Sequence, residues 1–380
     1  MAAQDLNRDL IGVPGGRAML ATPALVIDLD AMERNIAAMA AHAKKNAIAL
    51  RPHAKTHKCS EIARRQIAAG ALGICCAKLG EAEALAEAGI DSILLTSPVV
   101  TDRGIARVMA LNAKIGELRI TCDNATVAAR LDAAARSSGK KLRVVVDIDP
   151  GLGRTGIRPG DGAIALVEQV AKSEGLIFDG LQCYAGQVQH MESPNERRAA
   201  SLNAMKELAE LRDQLKAKGI TIPLLSGGGT GTFDIDPDAR ALTELQVGSY
   251  IFMDKQYNDV WTKPGQRPPF EPSLFVQTTV VSANREGFAT TDAGFKAFAT
   301  DAGAPQIFSG APDGANYFFF GDEQGGIFYP AANGKLDVGS VITCIVPHCD
   351  PTVNLYDCYH CVRGDRLEFI WAIEARGRSA

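Results

Sequence analysis

The chain has 380 residues, 46% of them apolar and 22% charged, with a net charge of −4 at neutral pH. This is a globular composition, long enough for one large domain or two unequal ones. It lacks a like-charge block for nucleic acid or an anionic membrane, a run near the roughly 20 apolar residues of a membrane span, and a secretory leader, so a cytoplasmic protein is expected.

In chain order, an N-terminal arm (1–21) leads into short β-rich apolar runs that alternate with longer Ala-rich amphipathic stretches. The β-like runs are Ala47–Leu50, Leu72–Ala77, Ser92–Thr96, Leu118–Cys122, Leu142–Ile148, Phe178–Tyr184, Pro223–Leu225 and Leu245–Phe252. Helical patterns such as Ser60–Ala69, Gly80–Ala88, Asp161–Ser173 and Glu196–Lys218 lie between them. Doubly buried runs separated by helices indicate parallel strands with right-handed crossovers, and eight is the number a closed (β/α)8 TIM barrel needs. An open doubly wound sheet is the alternative. The pattern changes near Pro268. From there Leu274–Ser282, Gly287–Thr291, Tyr317–Phe320, Gly326–Tyr329, Ser340–Val346 and Arg366–Ala372 read as alternating strands with Gly and Pro punctuation. The expected division is therefore an α/β barrel over 22–267, then an antiparallel β domain over 268–380 joined by the arm.

Nine cysteines, an odd number scattered through strands and loops, argue for reduced thiols over a disulfide framework. Cys358 and Cys361 are spaced like half a zinc site, but no second pair follows.

Barrel enzymes build their sites at the C-terminal strand ends. The first strand runs into ArgProHisAlaLysThrHisLys, which places Lys55 beside His53, His57 and Lys58. Neighbouring positive charge and burial would lower its pKa, as an amine forming a Schiff base requires; a solvated surface lysine is the bland reading. The fifth strand delivers Arg154, and the sixth Tyr184 and His190. The seventh opens into SerGlyGlyGlyThrGlyThr (226–232), where glycines at 227, 228, 229 and 231 let backbone N–H groups approach an anion. A following helix N-terminus would reinforce that effect. The eighth carries GlnValGlySerTyr (246–250). In the tail, His348 and Asp350 flank Cys349; in an extended segment they project to one side, as either a pair of metal ligands or a hydrogen-bonded turn.

Together ThrProAlaLeuValIleAspLeuAsp (22–30), the Lys55 motif, the glycine-rich loop, GlnValGlySerTyrIlePheMetAsp (246–254) and ProHisCysAspProThrValAsnLeu (347–355) resemble the D-threonine aldolase and D-serine dehydratase group of alanine-racemase-like, fold-type III pyridoxal-phosphate enzymes. The match runs from about Thr22 to about Arg366. It implies a Schiff base on Lys55, a cofactor ring lined by Arg154 and Tyr184, and a phosphate held by Gly228, Gly229, Thr230, Gly248, Ser249 and Tyr250, with Tyr257 as a further cofactor contact. It also implies a divalent metal on His348 and Asp350. Within the group, His-Xaa-Cys with zinc resembles the dehydratases and His-Xaa-Asp with a harder ion the aldolases. Mn²⁺ is favoured here, with Mg²⁺ and Zn²⁺ as alternatives. Gln324 departs from the pattern, which more often has His there.

The activity so implied is retro-aldol cleavage of a D-β-hydroxy-α-amino acid, D-threonine giving glycine and acetaldehyde. His190 is the expected base, with His57 as an alternative. Rival readings are a D-serine or 3-hydroxyaspartate dehydratase, a glyoxylate-releasing 3-hydroxy-D-aspartate aldolase and, from another class, a non-catalytic pyridoxal-phosphate carrier. The partner is a small D-amino acid, and the resemblance implies a homodimer.

Overall fold

In the computed structural model, which describes residues 6–261 and 269–380, the first strand, β1 (Ala24–Asp28), precedes all of the expected runs and is followed by a helix, Leu29–Lys45. The chain then forms two compact units, the barrel unit comprising residues 39–55, 60–248 and 377–380. Its eight strands are β2 (Ala49–Leu50), β3 (Ile74–Cys76), β4 (Ser92–Leu95), β5 (Glu117–Cys122), β6 (Leu142–Ile148), β7 (Leu176–Cys183), β8 (Leu224–Gly227) and β9 (Glu244–Leu245). They pair in parallel in the order β2-β9-β8-β7-β6-β5-β4-β3. A bridge from His53 to Cys75 joins the chain just beyond β2 to β3 and closes the ring. This is the closed barrel, not the open sheet.

Side-chain chemistry accounts for the crossovers. Thr101 and Asn124 accept backbone N–H groups at the starts of helices Asp102–Lys114 and Ala125–Ser138, and Ser193 caps Pro194–Ala217 with Pro194 in the first turn. Each helix buries one apolar stripe, for example Val127, Ala128, Leu131 and Ala135. A fully buried Leu131 contributes roughly 1.5–3 kcal/mol.

The second unit comprises residues 6–38, 56–59 and 249–376. Its strands are β1 with β10 (Leu274–Arg285), β11 (Phe288–Thr291), β12 (Gln306–Ser309), β13 (Asn316–Phe319), β14 (Gly325–Phe328), β15 (Val341–Ile345), β16 (Cys358–Arg363) and β17 (Arg366–Ala372). The path β13-β14-β11-β10-β1-β16-β17 is extended by β15, which pairs with β10 and β12. Among the described strands the pairings are antiparallel except that of β1 with β16, and an isolated parallel bridge joins Ile11 to Leu367. Leu10, Leu20, Val26, Phe275, Ile345, Val362 and Leu367 form one of its cores.

Several expectations change. Ala24–Asp28, expected within the barrel span 22–267, pairs with β10 and β16 in the β sheet. The expected boundary at 267–268 lies outside the described residues. The run Leu245–Phe252 is a strand only over Glu244–Leu245; Ser249–Ile251 forms a 3₁₀ turn. All nine cysteines are buried, and Cys358 and Cys361, an odd step apart on β16, face opposite sides, which removes the half-zinc reading. Among the described residues no helix is long and apolar enough to cross a membrane.

Candidate active site

In the barrel unit Lys55 is half-buried in a 3₁₀ turn, Ala54–Thr56, where the first barrel strand ends. Its N–H donates to His53 Nδ1 (3.3 Å), and His53 Nε2 lies 3.0 Å from Thr96 Oγ1, whose hydroxyl donates to the Cys76 carbonyl. The His53 ring thus links the backbone of the Lys55 turn, through Nδ1, to Thr96, through Nε2. In the second unit His57 Nδ1 likewise accepts the Cys59 N–H (3.2 Å). His53 acts as a strut for the turn that carries Lys55.

At the next strand ends, Arg154 places its guanidinium 5.2 Å from the centroid of the Tyr184 ring. That stacking brings the two expected ring-lining residues together. The loop into Arg154 is shaped by Asp149, which accepts the N–H groups of Gly151 (2.9 Å) and Gly153 (3.0 Å). Burial would raise the Asp149 carboxyl, but these backbone donors outweigh it and hold the group below its ordinary range. His190 is exposed on the turn after the 3₁₀ segment Gly186–Val188.

Sequence reasoning missed the polar network beneath these residues. Asp147 accepts from Thr155 Oγ1 (2.8 Å) and Gln182 Nε2 (2.9 Å). Gln246 Nε2 donates to Gln182 Oε1 (3.1 Å) and to Ser226 Oγ (2.8 Å), and Ser226 donates to Glu244 (2.7 Å). Burial pushes the Asp147 carboxyl up to about 6, against the pull of Gln182, Thr155 and the Arg154 charge. The available signal was polar residues inside otherwise apolar strand runs.

The glycine-rich loop is built as tightly as its composition implies. Gly228 has φ +71°, and a side chain there would strike the Asp236 carboxylate. A Cβ on Gly229 would fall 2.5 Å from Gln189 Oε1, and one on Gly231 would collide with the Gln189 carbonyl. Turns lead from the loop to a four-residue 3₁₀ segment, Asp236–Ala239, and not directly to an α-helix whose dipole could reinforce it. Gly248 closes the barrel unit's share of the expected phosphate residues.

The remaining expected residues lie in the second unit. Ser249 and Tyr250 are buried in the 3₁₀ turn, with Tyr250 edge-on to Phe270 at 5.5 Å between centroids. Tyr257 is buried in the helix Lys255–Trp261. Asp254, fully buried, accepts the Tyr257 N–H (2.9 Å) with one oxygen and the Cys349 N–H (2.9 Å) with the other. Backbone bonds from Lys255 to the Val346 carbonyl (3.0 Å) and from Gln256 to that of Pro347 (3.3 Å) complete a seam between 254–257 and 346–349. Asp254 belongs to a motif already quoted, but its role shows only once the two segments meet.

His348 and Asp350 do not share an extended segment. His348 is the extended residue before a short helix, Cys349–Val353, and Asp350 sits in its first turn. Pro351, tolerated only near a helix start, was the sequence signal for that helix. His348 Nδ1 lies 2.7 Å from Asp301 Oδ2, a partner not foreseen. Thr352 ties the loop down: its hydroxyl donates to the His348 carbonyl (2.7 Å) and accepts the Ala299 N–H (3.0 Å). Among the described residues no three His, Cys, Asp or Glu side chains form a metal cluster. Gln324 is exposed in the turn joining β13 and β14, where its carbonyl accepts two backbone N–H groups.

Comparison with known proteins fits this arrangement. The family "Alanine racemase, N-terminal domain" matches residues 27–256. The chain belongs to that family. A second family, "Putative serine dehydratase domain", matches residues 273–362. The chain is 39% identical over 363 residues to a D-threonine aldolase of Arthrobacter sp., covering 95% of this chain and 94% of the relative. It is 35% identical over 379 residues to a 3-hydroxy-D-aspartate aldolase of Paracoccus denitrificans (strain Pd 1222), covering 98% and 97%. The crystal structure of a D-threonine aldolase from Filomicrobium marinum superposes with a TM-score of 0.92 at 38% identity, covering 97% of this chain and 98% of that one. Membership implies pyridoxal phosphate as cofactor, and kinship to the aldolases over nearly the whole chain makes this enzyme a lyase.

Proposed function

We propose that the protein is a pyridoxal-phosphate- and divalent-metal-dependent aldolase that cleaves D-β-hydroxy-α-amino acids, D-threonine to glycine and acetaldehyde. The residues suit both groups. The glycine loop has protein packed against its Cα side at three positions, so its backbone is the part left to meet a phosphate. The His348 ring is held at Nδ1 by a carboxylate, the usual support for an imidazole that ligates through its other nitrogen. An imidazole with a carboxylate suits Mn²⁺, with Mg²⁺ or Zn²⁺ as alternatives.

When bound, pyridoxal phosphate supplies an electron sink for the carbanion left at Cα, and the metal supplies Lewis acidity at the β-hydroxyl. In this reading the protein's part is positional and acid–base. The Lys55 amine tethers the cofactor. Arg154 and Tyr184 line its ring. Gly228, Gly229, Thr230, Gly248, Ser249 and Tyr250 hold its phosphate, with Tyr257 as a further contact. His348 and Asp350 hold the metal, and the exposed His190 imidazole takes the proton of the β-hydroxyl, a task for which imidazole is the usual side chain. The homodimer belongs to the same reading.

The observation that carries aldolase over dehydratase is Asp350. Cys349, the competing donor, is fully buried with its N–H bound to Asp254, whereas Asp350 is part-exposed in the helix's first turn. The match of residues 273–362 to a dehydratase domain keeps a second reading in view, loss of the β-hydroxyl from D-serine or 3-hydroxyaspartate. Product analysis separates them. Incubation with D-threonine, D-serine and 3-hydroxy-D-aspartate, with EDTA and after Mn²⁺ readdition, should give acetaldehyde and glycine from D-threonine only with metal. Ammonia and a keto acid would establish the dehydratase, and glyoxylate released in preference to acetaldehyde would move the substrate to 3-hydroxy-D-aspartate.

A further inference from the structure

The glycine-rich loop has a back as well as a front. Gln189, 1% exposed, lies behind it and makes three hydrogen bonds. Its Oε1 accepts the Gly231 N–H (2.9 Å), and its Nε2 donates to the Ala185 carbonyl (3.3 Å) and to Thr232 Oγ1 (3.1 Å). The Thr232 hydroxyl donates to Asp236 Oδ2 (2.7 Å), and Ser201 donates to Asp236 Oδ1 (2.5 Å). Asp236, also 1% exposed, backs Gly228, while Gln189 backs Gly229 and Gly231.

Gly228 and Gly229 are thus demanded by the side chains behind them, and Gly231 by the Gln189 backbone carbonyl. Glycine in an open loop would be floppy and would lose much conformational entropy on gripping a ligand. Here the amide of one buried glutamine is hydrogen-bonded to the loop, to the residue that ends it and to the chain end of the strand-six loop. The loop's conformation is set before any phosphate arrives, which reduces the ordering cost of binding.

We infer that Gln189, linked through Thr232 to Asp236, is the positioning residue of the cofactor's phosphate loop and sets the affinity for the phosphate group specifically. The inference rests on the proposed assignment of that loop to the phosphate. It concerns a residue that touches the loop's rear and no reacting atom.

The test uses the full-length enzyme freed of cofactor and titrated with pyridoxal phosphate and with unphosphorylated pyridoxal. Wild type should prefer the phosphorylated form strongly. Gln189→Met, close in shape but unable to make the three bonds, should weaken pyridoxal phosphate about tenfold or more, the scale of an unsatisfied buried group, and leave pyridoxal within about twofold. The ³¹P resonance of the bound cofactor should shift as well. Thr232→Val, which cuts the link to Asp236, should move both readouts the same way by less, and it carries the test if circular dichroism shows Gln189→Met to be unfolded. An unchanged preference and ³¹P shift in whichever variant is folded would overturn the inference. A wild type that binds both forms equally would instead remove the phosphate from this loop, and the inference would fall with that assignment.

Discussion

The two ends of the barrel handle buried charge in opposite ways. At the strand starts, cations and carboxylates answer one another. Arg51 and Glu244, at 2% and 1% side-chain exposure, pair at 3.1 Å. Arg51 also donates to Ser92, Ser92 to Glu117, and Arg119 bridges Glu117 (2.5 Å) to Asp179, which Arg143 meets at 3.0 Å. Toward the strand ends, Asp147 and Asp236 are buried among hydroxyl and amide donors, and burial pushes both carboxyls up to about 6. The floor is locked by compensated charge. The mouth keeps acids whose protonation responds near neutrality, the condition in which a site can exchange protons. Stability and chemistry are thus assigned to opposite ends of one barrel.

That contrast can be broken most severely at the floor. Arg51→Met leaves Glu244 buried without its cation and should cost about 3–5 kcal/mol, read as a fall in denaturation midpoint. Activity per folded molecule should persist, and adding Glu244→Leu should restore part of the loss. At the mouth Gly228→Ala forces a side chain into a left-handed backbone and against Asp236. It should cost roughly 1–2 kcal/mol for the backbone alone and weaken cofactor binding, measured by melting and cofactor titration. In the second unit Asp301→Ala, which unpins His348, should weaken Mn²⁺ about 10–100-fold by metal titration while the fold stays intact.

The smallest effect is in pH. A carboxyl at about 6 in the fold, against an ordinary 3.8, makes the native state the stronger proton binder between those values. Stability from this group is therefore greatest in acid and falls as pH rises from about 4 to 6. Asp147→Asn should flatten that part of the profile relative to wild type, as a pH series of melting temperatures would reveal.

Much of this was legible in the sequence because a barrel strand buried on both faces is written as an unbroken apolar run, and each of the eight runs overlaps a strand, the last only at Leu245. What failed needed knowledge of partners. Ala24–Asp28 before a helix has the local pattern of a barrel unit, and only its pairing with β10 and β16 places it in the other sheet. Gln306–Ser309 carries no apolar alternation, three of its four residues being exposed, and Cys358–Arg363 is buried at five of its six positions, His360 among them, so neither shows a strand's period of two. The candidate site shows the same division. Lys55, Arg154, Tyr184 and the glycine loop announce themselves by chemistry at strand ends. Gln189, Asp254 and Asp301 act across chain separations of 42, 95 and 47 residues, to Gly231, Cys349 and His348, and no local spacing encodes such contacts.

The central claim is that Lys55 carries the cofactor. Borohydride reduction of the holoenzyme, proteolysis and mass spectrometry would locate the attachment directly. The account predicts the pyridoxyl group on Lys55, in the peptide that contains His53 and His57. Its appearance on Lys58 or any other lysine would contradict it.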